Sequence, residues 1–305
     1  MRRLSCCAAL LLAVGTVMTI MTGTAVAQTT KQPVIDAAPE RLRYRGSGTL
    51  VGHLEGWVAG DEVGLERRYG DSWKLLRSRA VDEDGEVRFR LLEMKTTRVF
   101  RLIHVDAASA TQTVSDSVRV RVGSRLTLRL STAHVMRGRV VTASGRLASK
   151  GPSRSVAIQQ RVRGSWRSMG TAYVRDGRFA LRFEANHLGF HRVRAVFRGD
   201  ARNLRSQDKA PMRVYGPARA TWYGPGLYGN RTACGQTLGR GTIGVAHRWL
   251  PCGTKVAVLY RGRTIVAPVI DRGPYANHAD WDLTQETAER VGMYSTATVG
   301  VDPEA

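Results

Sequence analysis

The sequence predicts an all-β protein with two similar β-sandwich modules followed by a third β module of different composition. Residues 118–122 and 126–130 alternate apolar and polar side chains, which places every second side chain on one face of a strand. A pattern containing a Trp and an Asp-Gly pair occurs twice, and Asp-Gly is a signal for a hairpin turn. The last third of the chain is rich in glycine and has short apolar runs, which indicates short strands joined by tight turns.

The N-terminus has the organisation of a secretory signal peptide. Two arginines precede an apolar run centred on residues 8–14, and small residues at 25–27 form an A-x-A cleavage site. We expect residues 1–27 to be removed during export, with no stable membrane insertion afterwards. A transmembrane anchor is the alternative, but Gly and Thr interrupt the run before it reaches about 20 apolar residues.

The next segments follow from composition and from the repeated pattern. Residues 28–40 are polar and contain prolines, which predicts a tether. The repeat then divides the chain into sandwich repeat 1, residues 41–122, and sandwich repeat 2, residues 123–215. Tyr-Gly-Pro at 215–217 is expected to be a linker to a third module, residues 218–305.

The repeat resembles two copies of an immunoglobulin-like β-sandwich. Trp73 and Trp166 occupy the same place in the two copies, and Asp-Gly pairs at 84–85 and 176–177 follow at nearly the same separation. We expect both Trp side chains to pack in a core or at a strand edge. Stacking against sugars is the alternative.

Positive charge is concentrated in sandwich repeat 2. The chain has a net charge of +22, and residues 123–218 hold 20 Lys and Arg against 4 Asp and Glu. Such a module attracts polyanions. Because export is expected, we predict anionic cell-wall polymers as partners of residues 123–215, and no nucleic acid. A solvated arginine-rich surface without a partner is the alternative.

Removal of the signal peptide leaves two cysteines, Cys234 and Cys252. Exported cysteine pairs are usually oxidised, so we predict a disulfide between them. In the chain-entropy model a bridge of this spacing stabilises the fold by about 3 kcal/mol. Two buried free thiols are the alternative.

Five motifs follow one another in the third module. They are A-T-W-Y-G at 220–224, R-T-A-C-G-Q at 231–236, A-H-R-W-L-P-C-G-T at 246–254, V-I-D-R-G-P-Y at 269–275, and D-L-T at 282–284 with G-M at 292–293. In this order and at these separations they resemble motifs of the rare lipoprotein A (RlpA) family of peptidoglycan lytic transglycosylases.

The resemblance implies a six-stranded double-psi β-barrel with a groove for a glycan strand. It implies that Asp271 is the catalytic acid/base and that His247 is its partner. The sequence contains no P-loop or dinucleotide fingerprint, so we expect no cofactor. The implied reaction cleaves MurNAc-β-1,4-GlcNAc bonds of peptidoglycan to 1,6-anhydro products in a secreted, cell-wall-associated protein. Gln236 replaces the family's Glu, and Gln cannot transfer a proton. A non-catalytic, expansin-like binder of wall glycans is therefore the alternative function.

The residues themselves support a site at Asp271. It ends an apolar run and precedes a Gly-Pro turn, which places it at the mouth of a strand. Pairing with Arg272 or with a turn amide is the structural alternative for Asp271. His247 could instead be a structural histidine that packs beside the turn at residues 251–253. The expected substrate-binding residues are Tyr223, Gln236, Arg272, Tyr275 and Trp281.

The other carboxylates of the module have simpler interpretations. Asp282 is expected to cap a helix that ends at Gly292, because a Gln follows three residues later as in a capping box. Asp302 and Glu304 are expected to lie in a frayed tail. No H-x-x-x-H or C-x-x-C spacing is present, so we expect no metal site.

Overall fold

The structure, a computed structural model, describes residues 31–107, 109–148, 154–276 and 278–304. The expected signal peptide, residues 1–27, lies outside the described residues. The described part is built almost entirely of β-strands, with one helix near its end. That helix is too short to cross a membrane, and no other helix occurs in the described ranges.

The first module is a β-sandwich. Its strands are β1 (Pro33–Ala37), β2 (Arg41–Leu42), β3 (Gly46–Leu54), β4 (Glu62–Tyr69), β5 (Ser72–Ala80), β6 (Glu86–Met94), β7 (Arg98–Val105), β8 (Gln112–Val114) and β9 (Val118–Val122). One sheet has the order β1-β3-β6, and the other has the order β2-β9-β7-β4-β5 with β8 paired to β7. Leu50 and Phe89 of the first sheet and Leu65 and Leu102 of the second are fully buried in one core.

Part of the expected tether is an edge strand. Residues 33–37 form β1, whose Pro33 and Val34 pair with Leu54 and His53 of β3. Proline is tolerated at the first residue of an edge strand, where its missing N–H interrupts no central ladder. The prolines of this segment therefore did not exclude a strand.

The second module has the same architecture. Its strands are β10 (Arg125–Leu130), β11 (His134–Met136), β12 (Val140–Ala148), β13 (Ser155–Val162), β14 (Ser165–Tyr173), β15 (Arg178–Glu184), β16 (Gly189–Phe197) and β17 (Ser206–Tyr223). The sheets have the orders β10-β12-β15 and β14-β13-β16-β17, and β11 pairs with β17. Val141, Ile158 and Met212 are buried between them.

The two copies share detail beyond topology. In each, an arginine donates Nε to a polar side chain and stacks on the repeated Trp. In the first copy Arg101 lies 2.7 Å from Glu66 and 4.3 Å from the centre of the Trp73 ring. In the second copy Arg194 lies 2.7 Å from Gln159 and 3.9 Å from the centre of the Trp166 ring. Both Trp rings are half-buried under these guanidinium groups. This arrangement favours the packing role of Trp73 and Trp166, with cation–π contact as its physical basis.

The third module is a closed ring of six strands. Its remaining elements are β18 (Val245–Ala246), β19 (Lys255–Tyr260), β20 (Arg263–Asp271), β21 (Trp281–Thr284), α1 (Gln285–Val291) and β22 (Ala297–Asp302). The ring order is β17-β21-β18-β20-β19-β22, and β22 pairs back with β17. Val256, Val269 and Leu283 are buried inside. Helix α1 ends at Gly292, which has the left-handed conformation that glycine accepts at a C-cap.

Strand β17 belongs to both the second sandwich and the barrel. Residues 215–217, expected as a linker, lie inside it, and Tyr215 is buried against Ala257 and Leu259 of β19. Gly and Pro did not break the strand here because Pro217 pairs with Gly300 on the barrel side. The two modules are therefore joined by continuous strand.

The C-terminal end is ordered rather than frayed. Asp302 is 3% exposed, and its Oδ2 lies 2.5 Å from Nη1 of Arg213 in β17. The expectation of a frayed tail at Asp302 is thus wrong, because a buried ion pair with a distant strand holds this residue.

Candidate active site

Two carboxylates lie on one row of residues at the end of the barrel strands. Ala246 pairs with Asp271 of β20 on one side and with Asp282 of β21 on the other. The pairing of β18 with β20 contains a register shift between Val245 and Ala246. The charge of Asp271 nonetheless contributes to the raised pKa of Asp282, so the two carboxylates lie near each other. The two α-carbons are separated by two strand spacings, about 10 Å. The fold thus brings together two acids that are not neighbours in sequence.

Asp282 lies in β21 and is not the helix cap. The N-cap is Thr284, whose Oγ1 accepts a hydrogen bond from Thr287 N at 3.3 Å. Asp282 Oδ1 instead accepts from Thr221 Oγ1 at 2.9 Å. Burial raises the pKa of Asp282 to about 6; the Thr221 hydrogen bond opposes this rise and the charge of Asp271 adds to it. The capping expectation is wrong because β21 runs into α1 without a loop.

Asp271 is oriented by backbone amides. Its Oδ1 accepts from Ala233 N at 2.8 Å and from Arg272 N at 2.9 Å. The Arg272 guanidinium points elsewhere: its Nη1 donates to Leu250 O at 2.9 Å and to His247 O at 3.3 Å. Arg272 therefore braces the segment from residue 247 to residue 250, and turn amides hold the Asp271 carboxylate.

The predicted disulfide is present between Cys234 and Cys252, whose α-carbons are 5.8 Å apart. It joins the loop that presents Ala233 N to Asp271 with the turn that precedes β19. Arg272 Nη2 also donates to Cys252 Sγ at 3.4 Å. The bridge therefore fixes one of the two amide donors of Asp271.

His247 is a neutral hydrogen-bond donor. Its Nδ1 accepts from the backbone N–H groups of Trp249 at 3.2 Å and Leu250 at 3.1 Å, so we assign the proton of the neutral ring to Nε2. Burial, aided by the positive charges of Arg248 and Arg272, lowers the pKa of His247 below its usual value. The ring can donate through Nε2 but is a poor proton source at neutral pH.

Of two expected groove aromatics, Trp281 is buried and Tyr223 is half-buried. Trp281 is 5% exposed, packs in the barrel core, and stacks on His247 with ring centres 4.3 Å apart. Trp281 therefore supports His247 and offers no open face to a sugar, contrary to expectation. Tyr223 has a buried hydroxyl whose pKa is raised by burial and by the charges of Asp271 and Asp282. A weak hydrogen bond toward Asp271 adds to this rise, although no bond of standard geometry joins the hydroxyl to a described residue.

Exposed aromatic rings flank the carboxylates. Tyr275 is 79% exposed and Trp249 is 81% exposed. Their loops are tied together, because Arg248 Nε donates to Pro274 O at 2.6 Å. Tyr275 was expected to line the groove. Trp249 was not expected there, although its position two residues after His247 could have indicated it.

Gln236 lies exposed in the loop that follows Cys234. Its carbonyl oxygen accepts from Thr232 N at 2.8 Å, and its side chain forms no hydrogen bond with a described residue. The position is therefore open to solvent. As for metals, the described ranges contain no group of three or more His, Cys, Asp or Glu side chains placed to hold one.

The barrel matches known proteins. Residues 217–302 match a family model described as lytic transglycolase. A probable endolytic peptidoglycan transglycosylase RlpA of Synechocystis sp. is 39% identical over 84 residues, covering 27% of this chain and 26% of that protein. The RlpA of Campylobacter jejuni is 37% identical over 84 residues, with coverage of 27% and 30%. Residues 217–302 form a domain homologous to the RlpA proteins, called the RlpA-like domain below. Its six-strand ring is consistent with the double-psi β-barrel.

The matched region is a small part of this chain and a small part of each relative. The match spans 26% to 30% of the length of the two relatives named above, and both sandwiches lie outside it. The structure of a teleost fish polymeric Ig receptor ectodomain aligns with 61% of this chain and 100% of its own, at 12% identity and a TM-score of 0.27. That score supports no conclusion.

Sequence reasoning placed Asp271, His247 and Tyr275 in the RlpA-like domain's candidate site but gave Asp282 another role. The available signal for Asp282 was its own D-L-T motif. Its burial beside Asp271 depends on strand pairing, which no local pattern shows.

Proposed function

We propose that the RlpA-like domain is a peptidoglycan lytic transglycosylase that cleaves MurNAc-β-1,4-GlcNAc bonds and leaves 1,6-anhydro ends. The observation that carries this proposal is the carboxylate pair Asp271 and Asp282, one of which keeps its proton up to about pH 6. Splitting a glycosidic bond requires a proton donor and a carboxylate near the reacting carbon. The pair supplies both.

In the proposed reaction Asp271 is the acid/base, and Asp282 is the carboxyl group that holds the proton at rest. This proton first moves from Asp282 to Asp271. Asp271 passes this proton to the glycosidic oxygen as the bond from that oxygen to C1 of MurNAc breaks. The 6-hydroxyl of the same MurNAc attacks C1 and gives its proton to the Asp271 carboxylate. The pair regains its proton, and no water is consumed.

Other residues of the site are assigned binding roles. Trp249 and Tyr275 are exposed rings on joined loops, and aromatic faces pack well on the apolar faces of pyranose rings. His247 presents Nε2–H as a donor to a sugar oxygen. Gln236 and Arg272 flank these groups on neighbouring loops.

The substrate class also implies a location. Peptidoglycan lies outside the cytoplasmic membrane, which agrees with the predicted signal peptide. We propose a secreted, cell-wall-associated protein whose basic second sandwich contacts anionic wall polymers.

Digestion of purified sacculi tests the activity. We expect the exported chain to release anhydromuropeptides, detected by mass spectrometry, and the Asp271→Asn variant to release at least 100-fold less. The Glu289→Gln variant, which changes an exposed carboxylate of α1, is the matched control and should behave as wild type. Equal release by wild type and Asp271→Asn would exclude Asp271 as the acid/base.

Gln236 favours a second candidate, a non-catalytic binder of wall glycans, because an amide replaces the family's carboxylate at an exposed position. This candidate predicts that the protein sediments with sacculi and releases no anhydromuropeptide. It also predicts that Trp249→Ala, and not Asp271→Asn, weakens sedimentation.

A further inference from the structure

The outer face of one sheet of the second sandwich is covered by arginines. Alternate residues of β10, β12 and β15 point into the core, as Leu126, Leu128, Val141 and Phe183 do. The residues between them point outward and are exposed. The arginines among them, called the arginine face below, are Arg125, Arg129, Arg146, Arg178 and Arg182.

Strand register brings these arginines close together. Arg146 of β12 pairs directly with Arg178 of β15 on one side and with Thr127 of β10 on the other. Two residues further along β10, Arg129 pairs with Ser144. Cross-strand partners lie about 5 Å apart at Cβ, where like charges repel. Arg129, Arg146 and Arg178 line an open cleft of about 840 Å³, together with Arg175 and Tyr173.

The positive charge of this face is not balanced within the described part of the chain, where none of its five arginines forms an ion pair. The acids nearby are otherwise placed. Asp208 accepts backbone hydrogen bonds from Leu128 at 2.8 Å and Lys209 at 2.9 Å, and Glu184 lies at the far end of β15. Asp176 lies in the turn before β15. The cleft therefore has a concentrated positive potential.

The first sandwich shows that the fold does not require this charge. In its equivalent sheet His53 pairs with Glu86 at the place where Arg146 pairs with Arg178. Two basic residues there lie beside carboxylates, while Arg90 forms no ion pair with any described residue. Arg88 lies 2.8 Å from Asp82 and also contacts Glu86, and His53 lies 2.8 Å from Asp36. At this cross-strand position the first sandwich therefore pairs a histidine with a glutamate, whereas the second pairs two arginines.

We propose that the arginine face binds a phosphodiester-linked polyol polymer of the cell envelope. A guanidinium presents a planar fork of donors that matches phosphate oxygens, and all five positions are arginine rather than lysine. Two arginines on one strand, such as Arg125 and Arg129 of β10, are four residues apart and so about 13 Å apart along the strand. A chain with regularly spaced phosphates can therefore meet several arginines across the three strands. The exposed ring of Tyr173 offers an apolar surface to the polyol carbons. The proposal rests on the envelope location proposed above and not on the chemistry of the barrel.

Binding of poly(glycerol phosphate) to the exported chain tests the proposal by titration calorimetry at 50 and 200 mM NaCl. We expect binding that weakens at least tenfold at the higher salt, because exposed charges are screened. Arg129→Gln/Arg146→Gln/Arg178→Gln should weaken binding at 50 mM at least tenfold. The matched control removes three exposed arginines of the opposite sheet and of its β13–β14 turn, Arg163→Gln/Arg167→Gln/Arg192→Gln, and should weaken it less than threefold. Arg178→Glu introduces the negative charge that Glu86 has at the equivalent position of the first sandwich. It should weaken polymer binding more than Arg178→Gln does.

Several results would overturn the proposal. Absence of binding at 50 mM would do so, as would equal weakening by the two triple variants, which would show that only total charge matters. Equal affinity for polyglucuronate, or for single-stranded DNA of equal charge, would exclude a phosphodiester polyol site. Circular dichroism melting confirms that each variant is folded. Anhydromuropeptide release from polymer-free sacculi is measured in a separate assay. It should be unchanged in the Arg129→Gln/Arg146→Gln/Arg178→Gln variant. Absence of lytic activity would therefore not count against polymer binding by the arginine face.

Discussion

At the scale of single residues, environment decides which carboxylate holds a proton. Asp271 and Asp282 lie near each other at one end of the barrel strands, but Asp282 is the one whose burial raises its pKa to about 6. His247 has its pKa lowered by burial and by two arginines, so it is not the group that supplies a proton at neutral pH. The proton of the site is therefore expected on a carboxyl group.

Asp282→Asn should make the protein more stable above pH 6. The ordinary pKa of an Asp side chain is 3.8, whereas the pKa of Asp282 in the fold is about 6. The unfolded chain therefore loses this proton at a lower pH than the folded protein does. Wild-type stability should fall as pH rises from about 4 to 6 and stay lower above pH 6. Because Asp282 is partly exposed, we expect a gain of about 1–2 kcal/mol for the variant at pH 7 and none at pH 4. Urea denaturation at the two pH values measures it.

The same variant should lose activity. We expect anhydromuropeptide release by wild type to decline above about pH 6, where Asp282 loses its proton. Asp282→Asn should lower the maximal rate at least tenfold and flatten this decline. An unchanged pH profile in the variant would show that the proton comes from another group.

At the scale of elements, a covalent bridge and a loop set the geometry of the strand end. The Cys234–Cys252 disulfide holds the loop whose Ala233 N–H reaches Asp271 at 2.8 Å. Arg272 braces the segment from residue 247 to residue 250 from the other side. The carboxylate is thus oriented by loops that are themselves fastened, which is the usual requirement for a preorganised site.

Cys234→Ser/Cys252→Ser should lower both stability and activity. Loss of the bridge should cost about 3 kcal/mol, since the disulfide restricts the unfolded chain. Release of anhydromuropeptides should fall further than the unfolded fraction explains, because the Ala233 amide is no longer fixed. Thermal melting with and without reductant checks this: reductant should lower the melting temperature of wild type and leave the double variant unchanged. A reductant effect of equal size in both would show that the bridge is not responsible.

At the scale of the whole molecule, β17 couples the second sandwich to the barrel. It pairs with β16 in one module and with β21 and β22 in the other. Next to this continuous strand, Arg213 and Asp302 form an ion pair at 2.5 Å with side-chain exposures of 17% and 3%. The arginine face and the carboxylate pair are therefore carried by modules that share a strand.

Asp302→Asn should weaken this junction. Removing one partner leaves the Arg213 guanidinium largely buried without its counter-charge, which should cost about 3 kcal/mol or more. Replacing both partners by apolar residues, Arg213→Met/Asp302→Leu, should recover most of that loss. Denaturant unfolding followed by tryptophan fluorescence measures both variants. A double variant as unstable as the single one would contradict a role for the unpaired charge.

How much the sequence predicts differs between fold and site. Alternating apolar residues and Asp-Gly turns were sufficient for the all-β fold and for the repeat, because these signals are local. Five ordered motifs were sufficient for the RlpA-like domain. The strand at 33–37, the continuity of β17 and the order of Asp302 were not predicted. In each of these cases residues far apart in the chain supply the pairing partner.

The sequence alone determined that an RlpA-like barrel follows two β repeats, that Asp271 ends a strand, and that positive charge collects in the second repeat. Only the tertiary structure decided which acids and which arginines meet. Asp282 has a raised pKa because the fold buries it, and the charge of Asp271, which strand pairing brings near, adds to the rise. Arg146 meets Arg178 because β12 pairs with β15 in that register. The physical reason is that desolvation and charge repulsion depend on distance in space, which the pairing of strands sets and the spacing along the chain does not.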